Sequence, residues 1–308
     1  MITHLFHNNN NYNIITNKQN KIYINKINEA INIPIRFSGN KKLWQDFIEK
    51  QALKLPPNAT VIDAFGGSGI ISYYITKIRP DIHVIYNDYD NYLTRVEHIQ
   101  ELEQIRKDLK QIAGQRTHGK IRKNNGLDKN KISNTKKQKI LDYLNNRKQN
   151  NLYTDDNVIK TWLTYGFSAR DEINNDTLLI NGIPANPFNI EKALEYAETL
   201  KPLKTKFDIT NLNKSKRLQK HLNDKNTYWI LDPPYRNTDT ADYKNEFSSE
   251  IEEAIKQIIK TNRIMLFCDQ KEIKFYKPLF KTKPKTKNKN KLAFINGIRR
   301  TESCLYTW

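Results

Sequence analysis

Two short runs carry most of the chemistry in this sequence. The first is Asp232-Pro233-Pro234-Tyr235, directly after the apolar stretch Trp229-Ile230-Leu231. A carboxylate and a proline carbonyl side by side are two acceptors on a stiff turn, and proline has no N–H to compete. Such a pair suits a planar amine whose lone pair is delocalised into a ring. Acceptors on its two hydrogens favour the tetrahedral, nucleophilic form and stabilise the charge that develops on reaction. Tyr235 adds a π-face on which a flat base stacks. The second run is Asp63-Ala64-Phe65-Gly66-Gly67-Ser68-Gly69. Its glycines let the backbone approach a ligand, and the helix that follows offers free N–H groups. It is neither the dinucleotide G-x-G-x-x-G pattern nor a phosphate loop with Gly-Lys-Ser/Thr. Asp88 follows Gly66 by 22 residues, the separation at which a carboxylate reaches ribose hydroxyls. Together they point to a nucleoside cofactor without a pyrophosphate. Plainer readings stand beside these: a tight strand-to-helix turn, an acid that only caps a strand, and Asp90 in place of Asp88.

Both runs need strands that end on them. ATVIDAFGGSG reads as a buried strand entering the glycine turn, IISYYITKI as the next helix, and HVIYNDYD as a second strand ending on acids. TYWILDPPY and RIMLFCD repeat the strand pattern around a helix at 250–260. Ligands of open α/β sheets bind beyond the carboxyl ends of strands, which puts both runs on one rim. Upstream, 1–20 is polar and Asn-rich and reads as a disordered or loosely attached end, and an amphipathic helix is predicted near 43–53. The middle is helical and polar from 91 to 160. Strand-like runs WLTYGFSA and TLLING then flank the polar turn RDEINND as a hairpin, and a short helix lies near 192–200. After the basic, low-complexity KTKPKTKNKNK, LAFINGIRRTESCLYTW reads as a closing antiparallel hairpin. The fold class is α/β: a Rossmann-like sheet interrupted by a mostly helical insert with a β-hairpin. Its parts are a polar segment 1–24, core at 25–98, insert at 99–204 and core again at 205–308.

Composition narrows the class. The 308 residues are 37% hydrophobic, no run of 18 apolar residues exists, and the start MITHLFHNNNNYN has no signal core, which predicts a cytoplasmic protein. Two cysteines and six scattered histidines build neither a disulfide framework nor a metal site. The net charge is +19 and unevenly placed. Residues 115–150 hold eleven bases against two acids, net +9, and 281–300 hold eight bases and no acid, net +8. Such clustering fits a polyanion partner, although a Lys- and Asn-rich composition produces solvated basic loops as well.

At these residues the chain resembles the Dam-type (α-class) adenine-specific DNA methyltransferases that use S-adenosylmethionine. Phe37-Ser38-Gly39-Asn40-Lys41 resembles the family's aromatic-x-Gly-Gly-Lys segment near the cofactor's methionine part, with Asn40 in place of the second glycine. The run 63–69 is similar to its glycine turn, Asn87-Asp88 to its second-strand ending, and Phe207-Asp208-Ile209 to the segment whose acid meets the cofactor's adenine. Arg300-Thr301-Glu302-Ser303-Cys304-Leu305 resembles its terminal Arg-x-Glu-x-x-Leu strand.

The resemblance implies S-adenosylmethionine held by Phe37, Gly39, Lys41, Asp63, Phe65, Gly66, Gly67, Ser68, Gly69, Asp88 and Asp208. It implies catalysis by Asp232, Pro233, Pro234 and Tyr235 on an adenine flipped from double-stranded DNA. Tyr243 and Phe247 stand in the loop that follows, either against the second face of the base or in local packing. The insert would read DNA through Arg170 and Asn174, with Arg122, Lys123, Lys136 and Lys137 on phosphates. A monomer without metal is expected, as an orphan or phage enzyme or beside a cognate restriction endonuclease. Cytosine-amino methylation, RNA adenine methylation and a non-catalytic DNA-binding relic remain as alternatives.

Overall fold

The structure is a computed structural model that describes residues 5–7, 12–17, 20–25, 32–37, 39, 41–114, 133–163, 173–174, 178, 183–234, 247–261, 263–295 and 298–308. At the N-terminus β1 (Leu5–His7), β2 (Tyr12–Asn17) and β3 (Asn20–Asn25) pair as an antiparallel three-stranded sheet. The polar composition predicts a loose end there. Ile14 pairs with Tyr23 and Ile15 with Ile22 in the backbone register, so the segment forms strands despite its asparagines.

The main sheet grows from the centre outward. α1 (Gln45–Ala52) leads to β4 (Thr60–Asp63), α2 (Ile70–Ile78) and β5 (His83–Asn87). Then come α3 (Tyr92–Glu97), α4 (Ile99–Ala113), α5 (Asn134–Gln149), α6 (Asp156–Leu163) and α7 (Ile190–Leu200). The chain returns through β6 (Lys204–Thr205), α8 (Lys216–Asn223), β7 (Thr227–Leu231), α9 (Ser249–Ile259), β8 (Ile264–Asp269) and α10 (Ile273–Tyr276). β9 (Lys285–Ile295) and β10 (Ile298–Tyr306) close it. The seven strands lie in the order β6-β5-β4-β7-β8-β10-β9, parallel except for β10, which runs antiparallel to both β8 and β9. From β4 the chain steps outward through β5 and β6, then starts again at β7 on the other side. The boundary between β4 and β7 is therefore the topological switch point of the sheet.

Parallel strands covered on both faces read as continuous apolar runs, and β8 (Ile-Met-Leu-Phe-Cys-Asp) is buried from Ile264 to Cys268. One face packs Ile62, Trp229, Leu231, Ile264, Leu266 and Leu305 with residues of α8, α9 and α10. On the other, Trp44 meets Phe267 at 5.1 Å and Phe47 meets Tyr306 at 5.1 Å. α2 is buried nearly all round, as a helix apolar on every side must be. Arg79 follows it, fully buried, and donates to the carbonyls of Ala52 and Leu55 at 2.8 and 3.0 Å, so the C-terminus of α1 is tied down.

Two expectations need correction. Trp162 and Leu163, read as the start of a hairpin strand, end α6 instead: Val158, Ile159, Trp162 and Leu163 are all buried at helical spacing. The rest of that hairpin lies mostly outside the described residues. The lysine-rich 285–291, read as low-complexity sequence, begins β9. Its strict alternation Lys-Thr-Lys-Asn-Lys-Asn-Lys has the strand period, and lysines are common on edge strands because they discourage further pairing.

The chain forms two compact units, one built around 94–195 and the other from the main sheet and the N-terminal segment. Within the former, Arg106 pairs with Glu103 through two bonds of 2.7 Å and donates to the Pro184 carbonyl at 3.1 Å. Among the described residues no helix is long and apolar enough to cross a membrane.

Candidate active site

The glycine turn takes its shape from the side chains behind it. Asp63 ends β4 and is 1% exposed; its Oδ2 accepts from the Ser72 hydroxyl at 2.8 Å. Its Oδ1 is buried with no hydrogen-bond partner among the described residues. Burial pushes the Asp63 carboxyl up to about 7; the Ser72 bond and the Lys41 charge oppose this, and the Asp232 charge adds to it. Tyr86 of β5 packs against the turn and its hydroxyl donates to the Gly67 carbonyl at 2.7 Å. A Cβ on Gly66 would stand 2.4 Å from the Tyr86 ring and 2.9 Å from the Asn87 carbonyl, so only glycine fits. Gly69, with φ 76°, caps α2 from the left-handed region. Gly66→Ala should destabilise the protein by about 1–3 kcal/mol through overpacking, read as a lower urea midpoint at unchanged slope.

A second segment lies over this turn. The Tyr92 hydroxyl donates to the Ile35 carbonyl at 2.6 Å and accepts its N–H at 3.1 Å, and the Phe37 ring meets Tyr92 edge-on at 5.5 Å. A Cβ on Gly67 would stand 2.8 Å from Phe37. Phe37 and the glycine turn are therefore in contact, as their joint assignment to one ligand requires.

The rim continues along β5. The Asn87 side-chain amide donates to the Ala64 carbonyl at 2.8 Å and to the Phe207 carbonyl at 3.1 Å, and accepts from the Phe207 N–H at 3.0 Å. It thus fastens the glycine turn to the segment carrying Asp208. Asp208 itself accepts from the Thr210 N–H and hydroxyl at 2.9 and 2.7 Å. Asp88 is fully buried. Its Oδ1 accepts from the Tyr92 N–H at 2.7 Å and the Tyr86 hydroxyl at 3.1 Å, which caps α3. Its Oδ2 has longer contacts, 3.3 Å to the Leu93 N–H and 3.4 Å to the Lys204 ammonium.

Asp232 stands just past the end of β7, next to β4, with Asp63 in register with Ile230. Pro233 and Pro234 are buried behind it. The surprise is its partner. Lys41, 2% exposed, donates to Asp232 Oδ2, to the Gly39 carbonyl at 2.7 Å, and lies 3.2 Å from Glu302 Oε1. Its ammonium is 5.3 Å from the centre of the Phe267 ring. Glu302 is 2% exposed on β10, and its Oε2 accepts from the buried Trp44 indole. Residues from the two ends of the chain therefore meet at the end of β7. Sequence reasoning placed Lys41 near the cofactor, quoted Glu302 only within a strand signature, and did not single out Trp44. The available signal was a charged residue inside the buried strand Thr-Glu-Ser-Cys-Leu-Tyr. Cys268 and Cys304 are free and buried, and burial pushes both thiols up, so neither supplies a thiolate.

Other assigned residues lie elsewhere. Tyr235, Tyr243, Arg122, Lys123 and Arg170 are outside the described residues. Phe65 and Phe247 pack against the apolar cluster of the sheet. Lys136 is exposed and donates to the Ala113 carbonyl at 2.9 Å, at the C-terminus of α4. Lys137 is half-buried, and exposed Asn174 accepts the Leu178 N–H on its carbonyl at 3.0 Å. Among the described residues no group of three His, Cys, Asp or Glu side chains could hold a metal ion.

The sequence comparisons agree with this geometry. A Haemophilus influenzae (strain ATCC 51907 / DSM 11121 / KW20 / Rd) protein named "Putative methyltransferase" is 26% identical over 270 residues, which cover 86% of this chain and 84% of that protein. Residues 37–292 match the family described as D12 class N6 adenine-specific DNA methyltransferase, a span that holds Lys41, the glycine turn, Asp88 and Asp232. The order of these elements, the sheet they share and the length of the match lead to one assignment: the chain belongs to the D12 class N6 adenine-specific DNA methyltransferase family.

Proposed function

We propose that this enzyme takes its methyl group from S-adenosylmethionine and delivers it to the N6 amino group of an adenine rotated out of double-stranded DNA. The observation that carries the reading is the adjacency of the two runs. The glycine turn and Asp232 end neighbouring parallel strands on either side of the switch point, where open α/β sheets bind ligands.

The residues fit such a cofactor. Asp63 Oδ1 is a buried acceptor awaiting a donor, and the ammonium of a methionine moiety supplies one. Asp88 Oδ2, with its two long contacts, retains acceptor capacity for ribose hydroxyls. Phe37, Gly39, Gly66, Gly67, Ser68 and Gly69 would line the cofactor between them, with Phe65 behind the turn on the apolar cluster, and Asp208 would meet the adenine ring. When bound, S-adenosylmethionine supplies an electrophilic methyl group on a sulfonium centre.

The chain's own part in the reaction is positioning and charge stabilisation. Asp232 Oδ1 and the Pro233 carbonyl accept the two amino hydrogens of the target base. Lys41, bonded to Asp232 Oδ2, fixes the plane of the carboxylate. Pro234 stiffens the turn and Tyr235 stacks on the base. Rotating the base out of the duplex costs roughly a few kcal/mol. The insert, 99–204, would meet that cost through DNA contacts, with Arg122, Lys123, Lys136 and Lys137 on phosphates and Arg170 and Asn174 at base edges. Incubation with labelled S-adenosylmethionine and unmethylated duplex DNA, followed by digestion to nucleosides, should place the label in N6-methyladenine. Label confined to methylcytosine, or seen only with RNA, overturns the reading.

Asp63 makes the apoprotein sensitive to pH. Its native pKa of about 7 lies above the ordinary carboxylate value, so the folded state holds the proton more tightly than the unfolded chain. The resulting stability is complete below about pH 4 and is lost as pH rises through about 7. The melting temperature of Asp63→Asn should therefore fall less than that of the wild type between pH 5 and pH 8. Parallel curves for the two proteins would exclude the assignment.

A further inference from the structure

The edge of the main sheet carries a row of cations that the proposed chemistry does not use. β9 alternates Lys285, Thr286, Lys287, Asn288 and Lys289, so its lysines share one face and follow one another at about 6.8 Å. Lys281, Lys283, Lys285 and Lys287 are exposed, and none of their ammoniums enters an ion pair or hydrogen bond among the described residues. Lys54, exposed just beyond α1, joins the row from a different element. Its ammonium lies 6.0 Å from the centre of the Tyr306 ring, and Tyr306 is the cross-strand neighbour of Lys285. Lys54 donates to the Gln51 side-chain carbonyl at 2.6 Å, a neutral acceptor. Partial desolvation and the Lys285 charge both push the Lys54 ammonium down, as happens where cations gather.

We propose that this row, from Lys54 and Lys281 to Lys287, is a DNA contact carried by the sheet and not by the insert, holding the sugar–phosphate backbone of the substrate duplex. The proposal rests on the reading that double-stranded DNA is the substrate.

Three observations carry it. The step between lysines on β9 is close to the step between neighbouring phosphates on one strand, so successive ammoniums can meet successive phosphates. The row is also aimed. β9 pairs Lys285 with Tyr306 and Lys289 with Glu302, and Glu302 lies 3.2 Å from Lys41, the partner of Asp232. It therefore climbs the sheet edge toward the rim that holds Asp232, and three strand spacings, about 14 Å, separate β9 from β7. A duplex is wide enough to touch both. Finally, edge protection asks only for a charge or two on the strand itself. Lysines that continue before the strand at Lys281 and Lys283, and meet Lys54, exceed that need. Thr286 and Asn288, exposed between the lysines, are polar, which favours a phosphate backbone over a membrane surface. Lys289 is set apart, because its ammonium turns to the Leu43 carbonyl over the Trp44 ring.

Lys285→Gln with Lys287→Gln removes two charges from exposed positions outside the catalytic and cofactor residues. Duplex binding is read by fluorescence anisotropy over a range of salt, with S-adenosylhomocysteine present. Each lost phosphate contact lowers the slope of log affinity against log salt by about 0.9, so the expected drop is about 1.8, with binding about tenfold weaker at low salt. The loss should be equal on duplexes of any sequence, since phosphates carry none. The single-turnover rate at saturating DNA should equal wild type, and Lys285→Arg with Lys287→Arg should bind like wild type. Lys256→Gln is the comparison: Lys256 already pairs with Glu252 and Glu253, and its loss should leave the slope unchanged. An unchanged slope in K285Q/K287Q overturns the proposal. So does an equal drop in Lys256→Gln, a drop that the arginine variant shares, or a drop seen with RNA and not with duplex DNA. Nucleoside analysis of the wild-type product tests the proposed function separately. N6-methyladenine with an unchanged variant slope removes this surface alone, and wild type that forms no N6-methyladenine in duplex DNA overturns the function.

Discussion

Asp232→Ala reduces the single-turnover rate of methyl transfer by at least about a thousandfold while S-adenosylhomocysteine still binds within about threefold of wild type. The large factor follows from where the charge develops in the proposed reaction: Asp232 would be an acceptor held at the reacting nitrogen, and such preorganised groups contribute most in the transition state. Retained cofactor binding follows from the fold. The glycine turn is braced by Tyr86, Asn87 and Ser72, none of which depends on Asp232. Stability is expected to change little, because Lys41 keeps Glu302 as a counter-ion 3.2 Å away. Rapid-quench measurement of labelled product checks the rate and calorimetry checks the binding. Turnover above about one tenth of wild type would remove Asp232 from the reaction.

Lys41→Met should give the largest loss of stability, about 3–5 kcal/mol, although it swaps one unbranched side chain for another. Taking away the ammonium leaves Asp232 and Glu302 as two like charges at a largely buried site that have lost the counter-ion they share. The Gly39 carbonyl also loses its 2.7 Å donor. Urea denaturation measures the loss. The double variant Lys41→Met with Glu302→Gln should recover a substantial part of it, since one of the stranded charges is gone. Strictly additive losses would show that the three residues do not act as one cluster. Methyl transfer by Lys41→Met should fail as well, through an unoriented Asp232.

The strands that carry the chemistry were legible because they are buried on both faces: Thr-Val-Ile-Asp, Tyr-Trp-Ile-Leu and Ile-Met-Leu-Phe-Cys leave little else for a chain to do. The misread stretches share a physical cause. At Thr161–Leu163 the apolar pair belongs to a helix whose earlier buried positions, Val158 and Ile159, lay in a region judged polar. At 285–291 lysine composition hid a period of two, and pairing with β10 made the strand. At the N-terminus cross-strand neighbours such as Ile15 and Ile22 form only after the chain turns back.

The sequence by itself determined the kind of chemistry. A carboxylate followed by two prolines and a tyrosine, downstream of a glycine turn and an acid 22 residues beyond Gly66, needs no coordinates to suggest a nucleoside cofactor and chemistry on an aromatic amine, and the resemblance they carry implies methylation. Those are local patterns, and local patterns survive in one dimension. What only the tertiary structure decided is the company Asp232 keeps. Lys41 lies 191 residues before it and reaches it only because β7 sits beside β4 at the switch point and β10 brings Glu302 back across β8. No sequence spacing encodes that meeting, since it depends on strand order in the sheet and on the depth at which an ammonium must find its acceptors.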